Sequence, residues 1–530
     1  MTTRIPVSGA GLTPGAPKGP VPINELTVRL DPADKLVIAK TTLLPGTVLQ
    51  QDDGSEIRVR QLIPQGHKVA LAEVAAGDEI LKYGQIIGFA TQPIEIGQHI
   101  HSHNLAVGEL HLDYAMSSAY EPVEILPVEE QATWMGYRRP DGRVSTRNYV
   151  AVIASVNCSS SATVAVAEYF RTPGVLDAFP NVDGVIARTR ADAARVGSKH
   201  LHILQRTLAG IVDHPNVAGY VMLSLGCEGN QPDDMIEFTG LEDARGGKPK
   251  VITIQLDGGF RKTVELGIEA VKDLLPCTST PSSANRCRHP ELVVALASAV
   301  DRMPGRGRTA NPGLGKAVDL LVKHGGTAAL GETTEAYGGE HLLTRRAKSP
   351  VAQTLLDMIH WWEEYTAYFG ASIDNNPAPK QGGWPDHDLR KSLGAIAGRF
   401  DSAQRGLWLR GTDHRKGFVH VDSPGYDPVA VTGQVASGCN LVVFTTGRGS
   451  AFGFKPAPSV KIATNSDLYA RQEPDMDINA GVVLDGLTLD DLGQQIFEKM
   501  LAVASGEQSK SEAAGVGQEE FNPWILGATL

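Results

Sequence analysis

Cysteine is scarce in this chain, with five in 530 residues. An odd number at irregular spacing excludes a disulfide-stapled scaffold. An excess of basic charge is also missing: 49 Lys and Arg against 60 Asp and Glu leave a net charge of −11. Phosphate neutralisation needs clustered cations, so a general nucleic-acid binder is excluded. No apolar run approaches the roughly 20 residues that span a bilayer. Met1 to Pro22 has no apolar signal segment, so a cytoplasmic location and no membrane partner are expected. A Rossmann GxGxxG is absent at the start of the α/β region, which disfavours a nicotinamide enzyme. What remains is ordinary for a globular protein, 42% hydrophobic and 21% charged, and long enough for two to four domains.

The pattern along the chain predicts a flexible arm over 1–27 and a small β-rich domain over 28–115. In the latter, short β-type runs alternate with turns at Pro45-Gly46, Ala76-Gly77 and Ile96-Gly97. Its last run, His99–His103, reads as a strand with three imidazoles on one face. A linker follows over 116–132. Beyond it strands and helices alternate to the end, the signature of βαβ units on mostly parallel sheets. That length predicts two α/β lobes, 133–280 and 281–530, with the turn-rich Pro276–Pro290 at their boundary. No internal repeat stands out.

Five polar clusters sit where strands should end: Asn157-Cys158-Ser159, Gly226 to Gln231, Gly331 to Glu335, Thr445 to Ser450, and Thr464-Asn465. In open α/β sheets the carboxyl ends of the strands line the ligand crevice, so the expectation is one pocket for a small, oxygen-rich anion. Arg147 and Asn148 abut a strand and suit a carboxylate, and a purely structural role is equally open. N-capping explains Ser159 to Ser161 but not Asn157 or Cys158. Cys227 and Glu228 share a loop without the paired spacing of a zinc site. Glu340 and His341 read as a solvated helix face, whereas Glu332, just past the apolar Ala328–Leu330, reads as functional. The Thr446 to Ser450 turn with Arg448 resembles an anion cradle yet lacks the Walker ending. Cys439 reads as a small buried hydrophobe.

Taken in order, Gly66-His67-Lys68-Val69-Ala70-Leu71, Ile100-His101-Ser102-His103-Asn104-Leu105, Tyr137 to Arg143, Thr146-Arg147-Asn148-Tyr149, Leu225-Gly226-Cys227-Glu228, Gly331-Glu332-Thr333 and Asp422 to Pro428 resemble the altronate/galactarate dehydratase family. The resemblance runs from about residue 35 to Leu530. It implies an SAF-type (β-clip) N-terminal domain and a two-lobed body that removes water from C2 and C3 of a sugar acid, with a divalent metal such as iron or manganese. Two departures stand out. Thr189 to Gly197 replaces the family's His-x-x-Gly-Cys-Gly, and Ala297 to Arg302 replaces its Gln-Cys-Gly-Gly-Ser-Asp.

The expected roles follow from that chemistry. His101, His103 and Glu332 are candidate acid/base groups. Arg147, Asn148, Asn157, Thr446 and Arg448 would hold the substrate. Cys158, Cys227, Glu228 and His341 would hold the metal. The expected partners are a small hydroxy acid and a second copy of the chain in a homo-oligomer, a dimer. Two alternatives stay open: β-elimination from a sulfonated hydroxy acid, supported by Arg190, Arg195, Arg302, Arg306 and Arg308, and an inactive sugar-acid-binding relative.

Overall fold

The computed structural model describes residues 19–29, 32–82, 85–101, 103–106, 116–189, 199–241, 249–278, 286–289, 291–298, 309–337, 339–371, 373, 400–404 and 416–527. Its described residues to 106 belong to one compact unit and those from 116 to another.

The N-terminal unit is built on an internal repeat displaced by 31 residues, Leu43 recurring as Val74, Gly46 as Gly77, Ile63 as Ile94 and Gly66 as Gly97. The backbone repeats with it. Leu43 N–H donates to Ile63 O at 2.8 Å and Val74 N–H to Ile94 O at 3.0 Å; Gly46 donates to Val59 O at 2.8 Å and Gly77 to Ala90 O at 2.7 Å. All four glycines have φ between +80° and +90°, a conformation that favours residues without a Cβ. Each copy buries its own small core, one around Leu43, Leu49, Val59 and Ile63, the other around Val74, Ile80, Ala90 and Ile94. The sequence reading saw no repeat because the copies match in side-chain class rather than identity. A four-stranded antiparallel sheet (Thr27–Val28, Leu36–Ala39, Lys68–Ala70, His99–Ile100) joins them. The predicted strand His99–His103 is therefore shorter, ending at Ile100 before a turn.

In the larger unit, the first sheet holds β1 (Tyr149–Ala154), β2 (Gly184–Arg188), β3 (Val217–Ser224) and β4 (Lys250–Thr253), all parallel, in the order β2-β1-β3-β4. The second holds β5 (Val293–Ser298), β6 (Thr327–Leu330), β7 (Phe400–Gln404), β8 (Gly417–Val421), β9 (Leu441–Thr446), β10 (Ser459–Ala463) and β11 (Ile478–Asn479), also parallel, in the order β7-β8-β6-β5-β9-β10-β11. The expected turn-rich boundary is instead ordered at both ends. Helix Gly259–Thr278 runs through Pro276, and Arg286–His289 pairs antiparallel with Trp134–Arg138.

Both sheets are buried on two faces, which is why their strands read as continuous apolar runs. On β5, Val294 and Leu296 enter one core while Ala295 and Ala297 enter another, the two-residue period of a strand. That second core is shared with the first sheet through Ala151, Ile153 and Met222, so the two lobes pack around a common apolar layer. Within it α1 (Lys199–Val212) meets α2 (Asp427–Ala436) so closely that a Cβ on Gly210 would stand 2.1 Å from the carbonyl oxygen of Ala436. At the amino ends of the strands, Asn440 stitches the sheets together. Its carbonyl accepts from the Thr146 hydroxyl at 2.6 Å and its amide donates to Val144 O at 3.1 Å. No described helix is long and apolar enough to cross a membrane.

Candidate active site

All five polar clusters lie at the carboxyl ends of parallel strands, and they divide into two groups, one per sheet. In the first sheet the neighbouring strands β1 and β3 carry connections to opposite sides, making their junction the topological switch point. Asn157, Cys158 and Ser159 follow β1, and Cys227 and Glu228 follow β3. Both thiols are exposed. Glu228 turns inward. Its carboxylate accepts from Ser155 Oγ at 2.7 Å, Leu225 N–H at 3.1 Å and Gly226 N–H at 2.6 Å, so it fastens its own loop to β1. Asn230 adds a 2.8 Å bond to Ser155 O. Asn157 is exposed, and its side chain accepts from Ser160 Oγ at 3.4 Å.

Two residues expected to hold substrate are engaged by the fold. Arg147 is buried, and all five of its guanidinium N–H bonds have protein acceptors: both carboxylate oxygens of Glu512 at 2.7 Å, and the carbonyls of Thr146, Val503 and Glu507 at 2.8, 2.9 and 3.0 Å. Asn148, fully buried, accepts from Arg139 at 2.9 Å and donates to Asn181 O and Thr278 O. Neither has a donor left for a substrate carboxylate. Arg188, at the end of β2, is likewise enclosed, donating to the carbonyls of Ala187, Gln518 and Lys455 beneath the rings of Phe454 and Phe521.

The second sheet carries the other three clusters, two after the adjacent β9 and β10 and one after β6, on the far side of β5. Its switch point lies between β5 and β9, where Ser298 Oγ and Thr445 Oγ1 are 2.9 Å apart and Thr445 donates to Asn311 at 2.9 Å. The expected cradle differs from its sequence reading: the amides of Gly449 and Ser450 point back at Thr446 Oγ1, each at 3.2 Å, and only the Arg448 side chain is exposed. Gly449 has φ +92°, a conformation that favours a residue without a Cβ, and the end of the Gln472 side chain lies over it. Thr464-Asn465 follows β10, and Asn465 ties the turn to its neighbour by donating to Gly447 O at 3.2 Å.

One strand over, Glu332 follows β6 with φ +62° and ψ +56°, the left-handed region, and is 1% exposed. A non-glycine residue there costs about 1–2 kcal/mol, and such strain persists where surrounding contacts enforce it. Ser423, after β8, enforces it here by accepting from Glu332 N–H through Oγ at 2.8 Å and from Thr333 N–H through its carbonyl at 2.9 Å. Glu335, Glu340 and His341 are also buried, which corrects the expected solvated helix face for the last two.

In the N-terminal unit, the imidazoles of His99, His101 and His103 gather with that of His67, with ring centroids 4.9 to 6.4 Å apart. His67 Nδ1 and His99 Nε2 share a hydrogen bond of 2.8 Å. Asn104 fixes the turn beneath them, accepting from His101 N–H at 2.9 Å and donating to His99 O at 3.0 Å. Burial, reinforced by neighbouring imidazoles and Lys68, lowers His67 to about 4 and His99 to about 3, and lowers His101 as well. Neutral imidazoles at neutral pH are proton acceptors. The sequence reading missed His67. The 31-residue repeat does not reveal it, because the counterpart of His67 there is Gln98; the pairing of Val69 with His99 in the sheet is what brings the two rings together.

Among the described residues no three His, Cys, Asp or Glu side chains gather to hold a metal ion, and this includes Cys158, Cys227, Glu228 and His341. Glu228 is turned onto its own loop, and His341 belongs to the helix Glu340–Thr344 beside the other sheet. The five loop arginines from Arg190 to Arg308, and the loops around them, lie outside the described residues; Thr189, Ala297 and Ser298 are the parts of the departing motifs that are described.

Comparison with known proteins decides the family. The SAF domain of altronate/galactarate dehydratase matches residues 25–108, the second domain of D-galactarate dehydratase/altronate hydrolase 136–279, and the C-terminal domain 301–529. A galactarate dehydratase (L-threo-forming) of Escherichia coli K12 is 34% identical over 87% of this chain and 90% of its own. The chain belongs to the altronate/galactarate dehydratase family. An altronate dehydratase of Bacillus subtilis 168 is 30% identical over 91% of the chain and 95% of its own, and the β subunit of a (2R)-sulfolactate sulfo-lyase of Chromohalobacter salexigens is 28% identical over 73% and 96%. As a member of a dehydratase family the chain is a carbon–oxygen lyase, and its β-rich N-terminal domain is the family's SAF domain.

Proposed function

We propose that this dehydratase acts on a C6 aldarate or aldonate, galactarate or altronate being the first candidates, and gives a 2-keto-3-deoxy acid. The observation that carries the reading is Glu332, a carboxylate enclosed at the end of a parallel strand in an enforced left-handed backbone, within a chain whose relatives along nearly their whole length are galactarate and altronate dehydratases.

In the reaction the C2–H and C3–O bonds of the sugar acid break, water leaves, and the resulting enol takes a solvent proton at C3 as it becomes the ketone. The difficult part is removing a proton beside a carboxylate, where negative charge accumulates. Glu332 is the proposed acceptor of that proton, and Arg448 is the proposed partner of the substrate carboxylate. The imidazoles of His101 and His103 in the N-terminal unit are the other proton-transfer candidates on chemical grounds. No step is assigned to a metal, because the described residues present no ligand set for one.

The test is purified protein incubated with a panel of C4 to C6 aldonates and aldarates, with 2-keto acid as the readout. A 2-keto acid from a C6 acid, lost in Glu332→Gln, supports the reading; none from any member overturns it. The similarity to a sulfolactate sulfo-lyase subunit favours one second reading, loss of sulfite from a sulfonated hydroxy acid. Sulfite release from 2R-sulfolactate, without 2-keto acid from the sugar acids, would select it.

A further inference from the structure

The side chain of Thr333 makes every hydrogen bond a hydroxyl can make. It donates to Asp422 Oδ1 at 2.7 Å, accepts from Ser423 N–H at 3.3 Å, and lies 3.0 Å from His420 Nε2. Its single proton is committed to the carboxylate, so the His420 bond must run the other way, with Nε2 carrying the hydrogen. His420 is fully buried, and burial lowers it to about 4, which keeps the ring neutral. The tautomer therefore follows from the network: Nε2–H, with Nδ1 unprotonated. Asp422 Oδ1 accepts a second bond, from the indole Nε1–H of buried Trp362 at 2.8 Å. Two separate elements thus converge on Thr333, the residue next to Glu332: β8 through His420 and the Asp422-Ser423 turn after it, and helix Ser349–Tyr368 through Trp362.

The strain at Glu332 gives the convergence a purpose. A glutamate holds a left-handed backbone only if something outside it prevents relaxation. The Ser423 hydroxyl and carbonyl do this directly, and the Thr333–Asp422–Trp362 chain fixes where Ser423 stands. We propose that Thr333, Asp422 and Trp362 are positioning residues that hold the Glu332 carboxylate in its productive place, with His420 serving the same network as a fixed hydrogen-bond donor. The proposal rests on the reading of Glu332 as the proton acceptor.

The test compares Thr333→Val, which keeps the shape but removes all three bonds, with Thr333→Ser, which restores the hydroxyl. Trp362→Phe removes only the indole donor and leaves an aromatic ring in place. For Thr333→Val, kcat should fall roughly 100-fold with KM within a few-fold, the scale of a misplaced catalytic group. Thr333→Ser should recover most of that loss, and Trp362→Phe should lower kcat about 10-fold, a part of the same misplacement, again with little change in KM. Thermal unfolding of each variant identifies any that fails to fold, in which case Trp362→Phe alone decides. Unchanged kcat in Trp362→Phe, or equal loss in Thr333→Val and Thr333→Ser, overturns the positioning role. Glu332→Gln, measured alongside, separates the two ideas. If it keeps full turnover, the proton-acceptor reading fails; if it abolishes turnover while Thr333→Val does not, only the positioning network fails.

Discussion

Arg147 and Glu512 stand 365 residues apart in the sequence and meet in a two-pronged ion pair, with both contacts at 2.7 Å and both side chains largely buried. The pair anchors the C-terminal segment to the amino end of β1 in the first sheet, helped by the capping box at Ser509 and Glu512. Removing one partner leaves the other as a buried charge without its counterion, which costs roughly 3–5 kcal/mol. Arg147→Ala and Glu512→Ala should each lower the urea midpoint accordingly. In protein that remains folded, KM for a sugar acid should stay near the wild-type value. A large rise in KM without loss of stability would return Arg147 to the substrate.

Glu332 trades stability for function. Glycine adopts its left-handed backbone without strain, so Glu332→Gly relieves about 1 kcal/mol while deleting the carboxylate. The expected outcome is a melting temperature equal to or above wild type together with loss of turnover, checked by thermal unfolding and product formation on the same preparation. A strongly destabilised variant would show that the side chain supports the fold instead.

Acid should weaken the N-terminal unit. The folded values of His67 and His99, about 4 and about 3, lie below the unfolded value near 6.5, so the unfolded chain binds more protons between them. The stabilisation is fully present above about pH 6.5 and is lost as the pH falls toward 4. The protection of the backbone amides around Lys68–Ala70 and His99–Ile100 against hydrogen exchange, taken relative to the intrinsic rate at each pH, should fall across that window. His99→Gln should flatten the dependence.

Close packing between the lobes makes its own prediction. The Cβ of Gly210→Ala meets a backbone carbonyl rather than a yielding side chain, so helices α1 and α2 must separate. A loss of roughly 1–3 kcal/mol in chemical unfolding is expected, the range for overpacking.

The parallel sheets were legible because their strands are buried on both faces, so that Tyr149–Ala154 and Leu441–Thr446 read as apolar runs ending in polar groups. Glu332 was legible for the same reason. Other features depend on partners that no local window contains. Arg147 looks like an anion binder until Glu512 is in view, and Glu228 looks like a metal ligand until its oxygens are found on Gly226 N–H and Ser155 Oγ. The amides of Gly449 and Ser450 seemed free because their acceptor, Thr446, lies within the same turn. Glu340 and His341 were misread by default, since a short polar helix gives no sign of burial when its cover comes from distant elements.

The most direct test of the account is the reaction in deuterated water, followed by NMR. Elimination through an enol predicts that a C6 aldarate or aldonate gives a 2-keto-3-deoxy acid carrying one solvent deuterium at C3, and that Glu332→Gln gives none of it. Undiminished product from Glu332→Gln, or no keto acid from the unaltered protein with any of these acids, would contradict the account.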